Sequence, residues 1–323
     1  MNSFDHQHLE LGEVTVHVVC AGPSTGDPVV LCHGFPETWY SWRHQLKALG
    51  DAGRRAIALD WRGYGQSSVP SSVDAYGTDR LSADLCSLLD HFGYDRAGFV
   101  GHDWGALALW DMACLHPDRM SWLYNMSVPF LRAPGPPIEL YEAIFADQFF
   151  YMNYFQEVGV AEAELEANTR RFLRDFLYSA SGEGMRSGLA FQPAPREGTR
   201  LLDTIAAAPD PLPAWLSDAD IDAYVEAFEE SGFFGPLSFY RNMDRNWRRT
   251  HKIATSDISM PIGFLTGSLD PVRLLTSGAA EKMEGLFSDF RGVTVIDDAG
   301  HWIQQERSAE TNEAVLAFLD QVG

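Results

Sequence analysis

Residues 97–117, AGFVGHDWGALALWDMACLHP, admit few folds: an apolar β-type run, a tight turn and a helix that stops before Pro117. The turn, Gly101-His102-Asp103-Trp104-Gly105, has the Gly-x-nucleophile-x-Gly pattern in the strand–turn–helix setting such a motif requires, with aspartate where serine usually stands. Its glycines let the backbone crowd a strained turn whose central side chain projects from the carboxyl edge of a sheet. Asp103 could instead serve only as the N-cap of the following helix. The rest of the chain has to separate these readings.

β-type runs and helical patterns alternate on both sides of this turn. LGEVTVHVVCAG, DPVVLCHG and RAIALDWRG read as strands, WYSWRHQLKALGDAG as a helix, and TDRLSADLCSLLDHFG as an amphipathic helix ended by Gly93. VVLC and GFVG are apolar at successive positions, which predicts a largely parallel sheet covered by helices on both faces. From about Leu131 to Ser259 the β-runs give way to helical and loop-like stretches, and they return in MPIGFLTGSLD and RGVTVIDDAGH before a closing helix over 308–318. One α/β core domain, 1–130 with 260–323, interrupted by an all-helical domain, 131–259, is the economical division.

Two further groups follow the elbow in chain order. Asp270 comes after the run PIGFLTGSL, and His301 after TVIDDAG, so nucleophile, acid and histidine each fall at the carboxyl end of an expected strand. His33-Gly34-Phe35-Pro36 follows the strand VVLC, where a loop can supply one oxyanion-hole N–H; the residue after the nucleophile supplies the other. Phe35 and Trp104 are the donors this assigns.

Composition narrows the partners. With 24 Lys plus Arg against 45 Asp plus Glu, the formal charge of −21 excludes a nucleic-acid or anionic-membrane binder and admits a neutral substrate. The acidity is spread over both regions and reads as solvated surface. Cys20, Cys32, Cys86 and Cys114 show no metal or redox spacing and are expected to be reduced thiols. The start of the chain lacks secretory features and no run approaches the roughly 18 apolar residues of a membrane span, so a cytoplasmic protein is expected.

The chain resembles the soluble epoxide hydrolases of the α/β-hydrolase superfamily along nearly its whole length. The likeness rests on HGFPETWYSWRHQ (33–45), DWRGYGQSS (60–68), GHDWGA (101–106), YFQEVGVAEAELE (154–166), GPLSFYRNMDRNW (235–247), SLDPV (268–272) and AGHWIQQE (299–306). It implies an α/β-hydrolase fold with a helical lid whose two tyrosines hold the epoxide oxygen. Position assigns Tyr151 and Tyr240 to these roles, with Tyr154 competing for the first. Val158 stands where many relatives have proline, which removes no catalytic group. Phe35, Trp39, Trp104, Tyr154 and Phe155 are expected to line an apolar substrate pocket, although for any one of them packing of lid on core is an equal alternative.

An aspartate suits epoxide opening because it is ionised at neutral pH without a base and leaves an ester that water can cleave. The expected reaction is attack by Asp103 with Tyr151 and Tyr240 as acids, then hydrolysis by water activated by His301 and Asp270, giving a vicinal diol. No metal or organic cofactor is expected. A haloalkane dehalogenase would share the aspartate and histidine but would use neutral N–H donors for a halide, not phenols. A non-catalytic member of the fold would be expected to lose part of this set. The oligomeric state stays open, a homodimer included.

Overall fold

The computed structural model describes residues 4–276 and 278–322. Eight strands form one sheet in the order β1-β2-β4-β3-β5-β6-β7-β8. They are β1 (Asp5–Leu11), β2 (Val14–Ala21), β3 (Pro28–Cys32), β4 (Arg55–Leu59), β5 (Ala97–His102), β6 (Met120–Met126), β7 (Ile262–Gly267) and β8 (Phe290–Ile296). β2 pairs antiparallel with β1 and β4, and every other pairing is parallel. β5 and β7 are buried at every position, as continuous apolar runs in a sheet covered on both faces must be.

The first strand was not expected. DHQHLEL is exposed along most of its length and mixes histidines and acids with leucine, so its composition gives no β signal. Gly12, at φ +73°, turns it back onto β2 in a hairpin. β8 lies at the other edge and is largely exposed.

The core helices are α1 (Arg43–Asp51), α2 (Thr78–Phe92) and α3 (Trp104–Leu115). Gly93 ends α2 in the left-handed conformation, with its N–H returned to Leu89 and Asp90, as the sequence predicts. α3 carries a single charged residue, Asp111, which is why it can lie buried against the sheet. Between β6 and β7 the chain makes a helical excursion: α4 (Pro137–Ile144), α5 (Tyr151–Tyr154), α6 (Val160–Glu166), α7 (Thr169–Ser179), α8 (Gly182–Arg186), α9 (Asp218–Ser231), α10 (Phe234–Arg241) and α11 (Met243–Thr250). Two isolated bridges, Gln148 with Pro195 and Phe191 with Ile205, are the extended pairings described there. The chain closes through α12 (Pro271–Leu275), α13 (Ala279–Lys282), α14 (Ile303–Glu306) and α15 (Ser308–Val322), the last running four residues past its expected end at Phe318.

The excursion is packed on the core without a seam. Phe155, Phe172, Phe233 and Phe239 belong to the same buried cluster as Phe35, Trp61, Tyr64 and Trp104. At one close approach, a Cβ on Gly235 of α10 would lie 2.5 Å from the Gly63 Cα, so only glycine fits. Polar ties hold the other side: Ser41 and Tyr224 hydroxyls are 2.6 Å apart, and Asp220 of α9 accepts from Tyr40 at 2.9 Å and pairs with Arg43 at 3.0 Å. No helix among the described residues is long and apolar enough to cross a membrane. The four cysteines are free, and burial pushes the Cys20 and Cys114 thiols up to about 11, leaving them little thiolate.

Candidate active site

Asp103 stands between β5 and α3 with φ +50° and ψ −115°, a backbone state rarely taken by a residue with a side chain. The flanking glycines make it attainable. A Cβ on Gly105 would lie 2.0 Å from the Cys32 carbonyl oxygen, and one on Gly101 2.6 Å from Asn125 Oδ1. The Asp103 side chain makes no capping hydrogen bond to α3, which disposes of the cap as its role. Its Oδ1 instead accepts the Phe35 N–H at 2.9 Å. Gly34 must approach this closely, because a Cβ there would meet the Asp103 Cβ at 2.4 Å. The other expected donor, the Trp104 N–H, opens α3, where no intrahelical acceptor exists, but makes no bond to the carboxylate in the resting geometry.

His301 presents Nε2 to Asp103 Oδ2 at 3.6 Å and Nδ1 to Asp270 Oδ1 at 3.1 Å. Asp270 is fully buried, and its Oδ1 also accepts the Val272 N–H at 2.8 Å. Burial alone would lower the proton affinity of His301, but the Asp270 charge and the hydrogen bond to Asp103 raise it well above the usual value. Burial would likewise raise Asp103, yet the hydrogen bond and charge of His301 hold its carboxyl below the ordinary range. Each group thus favours the charged form of the other, imidazolium and carboxylate. A group absent from the sequence reading joins them: the Ser127 hydroxyl donates to Asp270 Oδ2, and its oxygen lies 2.8 Å from His301 Nδ1.

A second buried pair lies beneath the nucleophile. Glu37 Oε2 faces His102 Nδ1 at 2.6 Å and accepts the Gly34 N–H at 2.8 Å, while Oε1 accepts from Gln304 at 2.6 Å. His102 Nε2 meets the backbone carbonyl of His301 at 2.8 Å. Both ring nitrogens of His102 thus face oxygens, one a carboxylate and one a carbonyl. Burial would raise Glu37, but the His102 charge and hydrogen bond and the Gly34 N–H hold it below its ordinary value. The loop of Phe35, the elbow and the loop of His301 are braced through this one pair.

The excursion supplies the opposite wall. Tyr240 of α10 sets its ring edge-to-face on Trp104, with centroids 4.8 Å apart, and lies 6.0 Å from Tyr151 of α5. Burial, followed by the Asp103 charge, raises both phenols well above their ordinary value, which places them in the field of the nucleophile. Phe155 joins them, 5.0 Å from Tyr240 and 5.8 Å from Phe35. Phe172 and Phe176 of α7 also pack on Phe35, at 6.0 and 6.2 Å, and were not foreseen; their i, i+4 spacing in TRRFLRDFLYS was the available signal.

Two expected pocket residues lie elsewhere. Trp39 packs edge-on against Phe4, His6 and His17 and belongs to the cluster on the opposite face of the sheet. The reason is the turn that begins at Thr38, which carries the chain from the site toward the β1–β2 hairpin. Tyr154 donates its hydroxyl to Glu164 at 2.8 Å, a carboxylate that also accepts the Leu201 and Leu202 N–H groups. It is tied into the excursion and does not face Asp103. Of the side chains missed, Glu37 and His102 sit inside motifs already singled out, whereas Ser127 had no signal beyond its place at the end of a strand. No group of three or more His, Cys, Asp or Glu side chains is arranged for a metal among the described residues.

Residues 27–308 match the family described as the alpha/beta hydrolase fold. The chain is 44% identical to epoxide hydrolase A of Mycobacterium tuberculosis over 316 residues, 96% of each protein, and 37% identical to epoxide hydrolase 2 of Siraitia grosvenorii over 99% of each. Its structure superposes on the crystal structure of epoxide hydrolase A from Mycobacterium thermoresistibile with a TM-score of 0.89 at 41% identity, covering 98% of both chains. An epoxide hydrolase from an endophytic Streptomyces gives 0.91 at 37% identity, covering 99% of this chain and 96% of that one. The protein is thus an α/β hydrolase. Within that class it belongs to the epoxide hydrolases.

Proposed function

We propose that the chain converts a lipophilic epoxide and water to a vicinal diol through an ester on Asp103, with the excursion, residues 131–259, acting as the lid. The observation that carries this reading is the meeting of two phenols, the buried Tyr240 and the partly buried Tyr151, over a carboxylate that has a histidine behind it at 3.6 Å. Attacking oxygen, leaving-group acids and hydrolytic base then occupy different sides of one small space.

In the first half-reaction Asp103 attacks a ring carbon and the C–O bond breaks toward the oxygen, which takes a proton from Tyr151 or Tyr240. The imidazolium of His301 restores that proton. Esterification removes the Asp103 charge that helps hold the proton on His301, so the histidine enters the second half-reaction neutral. It then takes a proton from water as the water attacks the ester carbonyl, and the Phe35 and Trp104 N–H groups receive the oxyanion. Collapse of this intermediate breaks the bond from the carbonyl carbon to the diol oxygen, which takes the proton of the added hydroxyl, so Asp103 returns to its carboxylate and His301 remains imidazolium with no net proton exchanged. The aromatic walls of Phe35, Phe155 and Trp104 favour an uncharged, apolar substrate.

Single turnover of a styrene-type epoxide in oxygen-18 water tests the route. The first diol should carry unlabelled oxygen drawn from Asp103, and full labelling in that turnover would exclude the ester. His301→Gln should stall at the ester with little diol formed. Released halide from a haloalkane panel, with no diol from the epoxides, would overturn the substrate class.

A further inference from the structure

Ser127 is fully buried and has φ +69°, a left-handed conformation that glycine adopts freely and serine seldom does. It directly follows β6, and its N–H continues the parallel ladder by donating to the Leu265 carbonyl of β7 at 2.9 Å. That backbone placement sets Oγ between the two loops that carry the acid and the base. The hydroxyl has one proton, directed to Asp270 Oδ2, and its lone pairs face His301 Nδ1 at 2.8 Å.

Both contacts act on the same geometry. Asp270 Oδ1 is already engaged by the Val272 N–H and by His301 Nδ1, so the Ser127 bond to Oδ2 fixes rotation of the carboxylate about its last torsion. Because the serine proton points away from the ring, Nδ1 faces two acceptors, Asp270 and Ser127, and must itself carry hydrogen. The lone pair of neutral His301 is then at Nε2, the nitrogen that looks toward Asp103.

We propose that Ser127 is a positioning residue for the second half-reaction: it locks Asp270 and holds His301 in the one tautomer able to activate water against the Asp103 ester. This rests on the reading of an Asp103 ester given above. Attack on the epoxide uses Asp103, Tyr151 and Tyr240, none of which touches Ser127 among the described hydrogen bonds. The two half-reactions should therefore respond differently to its loss.

Ser127→Gly removes the hydroxyl while keeping, without strain, the backbone geometry, and Ser127→Ala removes it while keeping Cβ. Rapid-quench measurement with a styrene-type epoxide, together with mass spectrometry of the protein, follows the ester. For both variants the alkylation rate should stay within about twofold of wild type, and ester hydrolysis should slow about 10- to 100-fold, the worth of a hydrogen bond to a charged group. The ester should accumulate, so kcat and KM fall together while kcat/KM is preserved. Wild-type hydrolysis in Ser127→Gly would overturn the proposal. So would equal slowing of both steps, or loss of folding in both variants, since either makes the serine a structural group. If the wild type makes diol without forming any ester, the Asp103 mechanism fails and this role fails with it, a result separate from normal ester formation with unchanged hydrolysis in the variants.

Discussion

Replacing Glu37 by alanine takes one carboxylate out of a space with no solvent in reach. Three donors are left: the Gly34 N–H at 2.8 Å, the His102 ring at 2.6 Å and the Gln304 amide at 2.6 Å. Glu37 and His102 are both fully buried, so water cannot take the place of the lost acceptor without opening the site. Breaking one side of a buried charge pair costs about 3–5 kcal/mol, because the other side stays behind uncompensated. Unfolding entropy of about 2.1 cal/mol/K per residue, scaled to this chain, converts each kcal/mol into roughly 1.5 °C. Glu37→Ala should therefore melt about 5–7 °C below wild type in a thermal scan followed by circular dichroism. Its reaction with an epoxide should also slow in both half-reactions, since the pair braces Gly34 beside the nucleophile and the carbonyl of His301.

Glu37→Gln separates charge from shape. The glutamine oxygen can accept from Gly34 and His102, and its amide would face Gln304, whose own Oε1 has no partner and becomes an acceptor if that amide turns over. The loss for Gln should be less than about half that for Ala. A Glu37→Ala protein that melts within about 1.5 °C of wild type would refute the reasoning, because it would mean the three donors find other partners at no cost.

Other outcomes follow from the same geometry. Tyr151→Phe should slow alkylation about 100-fold, as the loss of a preorganised donor does, whereas Tyr154→Phe should leave it near wild type and lower thermal stability through Glu164; equal rates for the two in rapid-quench experiments would reverse the assignment. His301 titrates above its unfolded value because Asp270 and Asp103 outweigh burial, so its contribution to stability is fully present below about pH 6.5 and fades as pH rises through the folded value. Asp270→Asn removes the largest raising influence, and the gap in Tm between wild type and this variant should be widest near pH 6 and shrink as the pH rises through the folded value; a gap constant at every pH would contradict this. Trp39→Ala should cost about 2 kcal/mol of stability by stripping the packing from Phe4 and His17, with kcat and KM unchanged; a raised KM would return Trp39 to the pocket.

The sheet was legible because its central strands are continuous apolar runs bounded by turns, and the elbow because two glycines at fixed spacing leave one backbone solution. β1 was not, since an exposed edge strand has no buried face to impose alternation on DHQHLEL. Asp103, Asp270 and His301 could be placed by order alone, each at the end of a parallel strand. Side chains on irregular segments could not. Trp39 lies four residues beyond Phe35 yet faces the other side of the sheet, and Tyr151 and Tyr154, one helical turn apart, are told apart only by Glu164, a partner ten residues after Tyr154. Ser127 needed three strand ends to meet before its oxygen had anything to touch.

On the proposed mechanism, the charges of the site let its two steps share one histidine. On the proposed mechanism Asp103 is anionic and His301 cationic at rest, with Asp270 behind the ring. The two carboxylates that flank its ring favour the proton on His301, and on the proposed mechanism that proton serves the opened epoxide. On that mechanism alkylation consumes the proton and the Asp103 charge together. His301 is then neutral beside a single carboxylate, held by Asp270 with its lone pair toward the ester. A base that was already neutral at rest would lack the proton for the first step, and one still charged after it could not perform the second. On this proposed mechanism, Asp270 behind the ring, hydrogen-bonded with it to Ser127, would let the change in Asp103 alone convert one state into the other.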